Sequence, residues 1–276
     1  MIFGNNIVKI YNNPMEALHE YVILTEISNT KHLHFRVPRV IRLVNSSKHS
    51  FLVMERVKGY NLEDYIIKFL FHKSKEALKV MYLLGMALKE LHMLDLNCKY
   101  ICSLPISNSE IKAEIIQLAK RLNSMGIVDF RTYTMISGIV NEMNIDRKLF
   151  SIGNLHGELY FTHVFTSDNK IIFLDFHNAC SGPIYYDLAM LNISLYVSLF
   201  YSHFVSNITS LIRSFLKGYF GLEYDDLYTQ MKLVELYVAL REILAHIKII
   251  NSETSLITCL LYTSPSPRDL STSRMP

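Results

Sequence analysis

The stretch from residue 152 to 180 constrains this chain most. "HGELYFTHVF" (residues 156–165) carries His156, Glu158 and His163, and "IIFLDFHNA" (residues 171–179) carries Asp175 and His177. The run from Ile171 to Leu174 is short, apolar and rich in β-branched residues, and it is bounded by polar residues, so it reads as a buried strand ending on Asp175. The whole span reads strand, loop, strand. Two carboxylates seventeen residues apart, one in the loop and one at a strand end, are the part of the sequence that chemistry has to explain.

The rest of the chain gives this span its setting. "NIVKIY" (Asn6 to Tyr11) reads as a strand, and Pro14 opens a helix in which Ala17, Leu18, Tyr21, Leu24 and Ile27 recur at helical spacing. "VPRVIRLVNSSKHSFLVMERV" predicts two strands around a polar turn at Asn45 to His49. After a turn at Gly59, Asn61 is placed to cap a helix beginning at Leu62. From there to about Val140 the pattern is helical, most clearly in "ALKVMYLLGMALKELHML", and it is helical again from the end of the motif span to Thr258. A small β-rich segment with one helix, residues 1–57, thus precedes a larger helical segment, residues 58–258. That organisation fits a ligand site between two lobes, and it equally fits a helical binding protein with a β cap.

Half the residues are hydrophobic and 19% are charged, so the chain can bury sizeable cores. A net charge of +3 gives no reason to expect a polyanionic partner. The basic residues of "RVPRVIR" (Arg36 to Arg42) alternate with apolar ones, and the seventeen tyrosines have no basic stripe among them, so no nucleic-acid surface is expected. With Cys259 set aside in the C-terminal tail, Cys98, Cys102 and Cys180 form an odd set without paired motifs, which fits buried thiols in a reducing compartment. His32 and His34 in "KHLHF" read as an exposed turn rather than metal ligands, for want of nearby carboxylates. "LAMLNISLYVSLFYSHF" (Leu188 to Phe204) is broken by Asn192 and serines and reads as a buried helix rather than a transmembrane segment. With no secretory leader in "MIFGNNIVKIYNNP", a cytoplasmic protein is expected. "CLLYTSPSPRD" and the closing "SRMP" resemble a translated transposase sequencing adapter, so residues 259–276 are expected to be non-native. Few residues precede Lys9, and the first lobe is expected to be truncated upstream.

Phosphoryl transfer needs little covalent help from a protein and mostly positioned charge: a carboxylate for the attacking hydroxyl, another for Mg²⁺, and a lysine held by a glutamate for the phosphates. The chain offers each in order. Lys9 lies mid-strand in "IVKI", like the lysine of V-A-I-K. Glu20 lies on the following helix, with Glu16 one turn earlier as a fallback, and Met54, Glu55 and Val57 fall in "FLVMERVKG". His156, Gly157, Glu158 and His163 keep the spacing H-x-D-x-x-x-x-N, with Glu for the Asp and His for the Asn. Asp175 follows, then "YYDLAML" with Asp187; "LGMALKELHML" (Leu84 to Leu94) precedes the loop.

Over about residues 6–205 these motifs resemble the aminoglycoside phosphotransferase family of the protein-kinase-like superfamily. Within it the loop is similar to that of bacterial lipopolysaccharide core kinases acting on heptose or Kdo sugars, H-x-D-x-Y-x-x-H-F followed by I-D-L-H-R. Tyr160, His163 and His177 are in register with that pattern, and Val164 departs from its Phe. The resemblance implies an α+β, two-lobed protein-kinase-like fold, with a small antiparallel β lobe bearing one helix and a larger, mainly helical lobe. It implies ATP and Mg²⁺ as cofactors and a sugar or small-molecule hydroxyl as acceptor. Glu158 is then the base, Asp175 the metal ligand and His163 a second metal or phosphate ligand. Lys9 contacts phosphate, Glu20 fixes Lys9, and Met54, Glu55 and Val57 border the adenine. His156 and Asp187 support the loop. Glu158 departs from the pattern by one methylene, and a misplacement of about 1 Å can cost roughly a hundredfold in rate. The alternative is therefore a catalytically impaired pseudokinase that binds nucleotide or acts as a scaffold.

Overall fold

The computed structural model describes residues 2–72, 74–96, 100–199, 205–221 and 225–252. The first lobe is built on a four-stranded antiparallel sheet in the order β1-β2-β5-β4, from β1 (Ile2–Phe3), β2 (Asn6–Tyr11), β4 (Val40–Asn45) and β5 (Ser50–Glu55). Buried and half-buried residues alternate along β5, as the two-residue period of a strand requires. The turn from β4 to β5 closes on Ser46, whose hydroxyl oxygen accepts the His49 amide at 3.1 Å. Helix α1 (Pro14–Ser28) starts where it does because Asn13 accepts the Met15 amide at 3.0 Å and Pro14 suits the first turn. It lies against β4 and β5 and buries Ala17, Ile23, Leu24 and Ile27.

The second lobe begins with β6 (Tyr60–Asn61) and α2 (Leu62–His72), capped by Asn61, which accepts the Glu63 amide at 2.8 Å. Helices α3 (Glu76–His92), α4 (Asn108–Ser124) and α5 (Phe130–Glu142) lead to the motif span. There β7 (Ile152–Leu155) pairs antiparallel with β10 (Cys180–Pro183), and β8 (Val164–Ser167) forms a hairpin with β9 (Lys170–Phe173). Asp168 and Asn169 make the hairpin turn with φ of 51° and 59°, the left-handed pair that a two-residue turn between right-twisted strands needs. Helices α6 (Tyr185–Leu199), α7 (Val205–Phe220) and α8 (Asp225–Ser252) complete the lobe. The α+β fold, with a small antiparallel β lobe and a mainly helical second lobe, is as expected.

The lobes are stitched together. β3 (Phe35–Arg36) runs parallel to β9 in a sheet ordered β3-β9-β8-β6, which joins residues of the first lobe to the motif hairpin. The buried apolar residues form one cluster from Tyr11 to Leu244. Within the second lobe α3 and α7 cross backbone to backbone: a Cβ at Gly85 would stand 2.1 Å from the Phe215 carbonyl oxygen, and one at Gly218 would stand 2.0 Å from that of Tyr82.

Three sequence expectations need correction. The helical pattern from Leu62 to Val140 is interrupted: Ile101 bridges to Ser181 and the Cys102 amide donates to the Ser181 carbonyl at 2.9 Å, so this strip is extended. Cys102 and Cys180 are not free thiols but a disulfide with Cα atoms 5.7 Å apart, a pairing across 78 residues that local spacing does not reveal. Cys98 lies outside the described residues, as does the 259–276 tail. His32 is buried rather than exposed; its Nε2 meets the Ile27 carbonyl and the Thr30 hydroxyl at 2.7 Å, and its ring stacks on Phe35. The carboxylate of Glu90 lies beside both His32 and His34. Among the described residues no helix is long and apolar enough to cross a membrane.

Candidate active site

Lys9 projects from the middle of β2. Its ammonium donates to Glu20 Oε2 at 2.7 Å and also contacts Asp175 Oδ1. Glu20 is only 1% exposed, and a buried carboxylate is tolerated only where its oxygens are paired. It is paired fully: the Tyr11 hydroxyl donates to Oε2 and the Phe176 amide donates to Oε1 at 3.1 Å. Burial, and then the charge of Glu20, push the Tyr11 phenol far above its ordinary range, so it stays a donor. Lys9, Glu20, Met54, Glu55, Val57 and Asp175 all line one cavity of about 800 Å³ between the lobes, with Leu174 and Phe165 on its floor. Glu55 is also tied to Arg36 at 2.5 Å.

The loop carrying Glu158 is held from beneath. Asp187, in the first turn of α6, is completely buried; it accepts the amides of His156 at 2.6 Å and Gly157 at 3.0 Å and meets His92 Nε2 at 3.0 Å. Gly157 has φ of 85°, and a Cβ there would lie 1.9 Å from the Asn178 carbonyl oxygen, so both its conformation and its space demand glycine. His156 is buried and donates from Nε2 to the Leu174 carbonyl at 2.8 Å, which ties the loop to the Asp175 strand. Burial holds its pKa below the ordinary value, so the ring is neutral.

Four charges then form a row. Asp175 has φ of 70°, a conformation a non-glycine residue adopts only when its surroundings fix it. Those surroundings are Lys9 on one side and His177 on the other, with Nδ1 2.6 Å from Asp175 Oδ1. Burial alone would raise the Asp175 pKa, but the hydrogen bonds from His177 and Lys9 outweigh it and hold the carboxyl well below the usual range. The hydrogen bond to Asp175 in turn raises the His177 pKa against the effect of burial. The other nitrogen of His177, Nε2, faces Glu158 Oε2 at 3.2 Å, and Asn178 Nδ2 donates to the same oxygen at 2.8 Å. His163 donates from Nδ1 to the Glu158 carbonyl at 3.0 Å, and its Nε2 faces Asp175 Oδ2 at 4.0 Å.

Among the described residues no group of three His, Cys, Asp or Glu side chains is arranged to enclose a metal. Mg²⁺ does not require one, since it is commonly bound through one or two carboxylates with phosphates and water. Asp175 suits it as an oxygen donor; the imidazole of His163 is the less suited of the two.

A model of the phosphotransferase enzyme family matches residues 4–225. The chain belongs to this family. Comparison with curated proteins finds no match. Among solved structures, the gentamicin–APH(2″)-IIa complex aligns over 96% of this chain and 86% of its own, with a TM-score of 0.57 at 18% identity. A glucosamine kinase aligns over 92% and 74%, with a TM-score of 0.55 at 16% identity. Aminoglycoside phosphotransferase APH(3″)-Id from Streptomyces rimosus, in complex with ADP and streptomycin, aligns over 86% of both chains, with a TM-score of 0.52 at 14% identity. At these identities the likeness is one of fold.

In this phosphotransferase family member a second cavity, of about 480 Å³, opens on the far side of the charged row and includes Gly157, His177 and Asn178 in its wall. The structure thus brings Lys9, Glu20, Met54, Glu55, Val57 and Asp175 to the first cavity and sets Glu158 and His163 beside His177 and Asp175. Three participants were not singled out. Tyr11 directly follows the strand residues around Lys9, so its position in "IVKIY" carried a signal. Asn178 stands next to His177 in "DFHNA". Arg241, on α8 in the wall of the second cavity, carries no motif and is brought there by tertiary packing alone.

Proposed function

We propose that the chain transfers the terminal phosphoryl group of ATP to a hydroxyl of a sugar or other small molecule. The observation that carries this reading is the row Lys9, Asp175, His177, Glu158, which runs from the interlobe cavity to the second one. In it Lys9, fixed by Glu20, meets the phosphates, and Met54, Glu55 and Val57 border the base. Asp175, with His163 beside it, is placed to hold Mg²⁺; when bound, that ion would neutralise phosphate charge. Glu158 accepts the proton of the acceptor hydroxyl while the hydroxyl oxygen forms the new bond to the γ-phosphorus and the bond from that phosphorus to the ADP oxygen breaks. His156 and Asp187 hold the loop from inside the lobe. The similarity to kinases whose names mention glucosamine, gentamicin and streptomycin, and the loop's resemblance to lipopolysaccharide core kinases, support a sugar-like acceptor.

The extra methylene of Glu158 was the reason to consider a pseudokinase. Asn178 and His177 both grip the carboxylate at its actual reach, so it is held in one place, which favours turnover over a scaffold role. The test is a thermal melt with ATP, with and without Mg²⁺, joined to ADP release over a panel of sugars. Saturation at a hundred times the dissociation constant adds about 2.7 kcal/mol of stability. Glu158→Gln is expected to keep that shift while lowering turnover by about a hundredfold or more. A Mg²⁺-dependent shift with no turnover by the wild-type chain on any acceptor would leave the scaffold reading standing.

A further inference from the structure

The phosphotransferase reading leaves the acceptor undefined, and the following inference rests on that reading. We propose that the acceptor carries an anionic group, a carboxylate or a phosphate, which Arg241 binds at the end of the second cavity away from Glu158.

The second cavity extends from Gly157, His177 and Asn178 at the catalytic loop to Tyr186 and Arg241 on the helices behind it. Arg241 also lines a neighbouring cavity of about 930 Å³, and the two cavities share the strip Cys102 to Leu104. The guanidinium lies 5.4 Å from the centre of the Tyr186 ring, and its Nη1 donates to the Tyr237 hydroxyl at 3.3 Å. Burial raises the pKa of both phenols, so Arg241 is packed against neutral groups. Among the described residues no carboxylate forms an ion pair with it.

A guanidinium has five N–H donors in a flat fork, and one phenol with one ring face leaves most of the fork without acceptors. Burial would lower the Arg241 pKa, but the two phenols and the charge of Glu242 outweigh that, and among the described residues no carboxylate sits on the fork itself. The fork matches the paired oxygens of a carboxylate or phosphate, and stacking on Tyr186 holds it in plane for such a partner. The carboxylates nearby are engaged or set apart. Glu242 accepts the Tyr160 hydroxyl at 3.1 Å, and Glu110 accepts the Ile106 amide at 2.8 Å at the start of α4. Glu16, at the α1 side of the cavity, accepts from Asn13 at 3.0 Å. Glu114 and Arg121 both line the neighbouring cavity, and the charge of Glu114 reaches the Tyr237 phenol. Arg241 therefore presents a cation at one end of the acceptor cavity and Glu16 a carboxylate at the other.

Matched sugars test this. ADP release is measured with glucose, glucuronate, glucose 6-phosphate and glucosamine, on the wild-type chain, Arg241→Gln and Arg241→Lys. The wild-type KM for at least one of the two acids is expected to lie at least about tenfold below that for glucose; which acid gains tells carboxylate from phosphate. Arg241→Gln raises that KM toward the glucose value and leaves the ATP melt shift in place, and Arg241→Lys falls between, as a point charge without the fork. Should Arg241→Gln not fold, the Lys variant alone carries the comparison. Equal KM values for acid and neutral sugar, a preference for glucosamine, or a variant that keeps the anion preference would each overturn the proposal. If none of these sugars releases ADP, calorimetric binding of the same sugars with ADP present decides the subsite, apart from the question of turnover. An anion preference lost in Arg241→Gln upholds it, while equal binding of glucose and glucuronate, or no binding of either acid, overturns it.

Discussion

Glu90 does its work far from the charged row. It accepts the backbone amides of Leu33 at 2.8 Å and His34 at 2.9 Å, and meets the His34 ring at 3.2 Å, so one carboxylate pins the passage into β3 against α3. Burial would raise its pKa, but the two amides and the His34 ring outweigh that and hold it below the ordinary 4.5. A depressed carboxylate stabilises the fold above its unfolded pKa, and that contribution disappears as pH falls through the folded value. Glu90→Gln is therefore expected to cost about 2 kcal/mol at pH 7, and the gap from wild type should close in urea titrations as pH falls through the lowered folded pKa. A gap that is constant with pH would show that the charge is not what matters. The same neighbourhood marks a limit of sequence reading. "KHLHF" looked like an exposed turn because nothing local signals that Phe35 stacks on His32 or that Glu90 arrives from α3. The convergence of Lys9, Glu20, Glu158 and Asp175, by contrast, was legible because they fall in short motifs that occur in a set order along the chain. The left-handed backbone of Asp175 was not, since no residue type announces it.

At the scale of elements, the α3–α7 crossing is set by two glycines rather than by complementary side chains. Adding a methyl at either position brings it within about 2 Å of a carbonyl oxygen on the other helix, so the helices must separate. Gly218→Ala is expected to destabilise the fold by about 3 kcal/mol, lowering the melting temperature by about 6 °C or more. A variant that melts within a degree of wild type would mean the helices part at little cost. The strands and helices themselves were largely readable, because periodicity and caps are local: Asn13 and Asn61 cap as their positions suggest. What was not readable is what one element does to another. The strip after α3 reads as helical in isolation, yet the pairing of Ile101 with Ser181 and the Cys102–Cys180 bond hold it extended against β10. Arg241 belongs to the same class: its setting is assembled from α6, α8 and that strip.

For the whole molecule, two lobes need not mean two folding units. β3 pairs with β9, Glu20 accepts the Phe176 amide, His19 meets the Ala179 carbonyl at 2.7 Å, and one apolar cluster runs through both parts. Calorimetry is expected to give a single transition, with a ratio of calorimetric to van't Hoff enthalpy of about one. Two resolved transitions would sink that expectation. The Gly85–Gly218 crossing has a further consequence for descent. Most buried positions can drift, because a larger side chain on one element can be answered by a smaller one opposite. Where backbone meets backbone no smaller partner exists to answer, so residues 85 and 218 are closed to gradual exchange. A lineage descending from this chain can rewrite nearly all of its interior and still carry those two positions as an inherited mark.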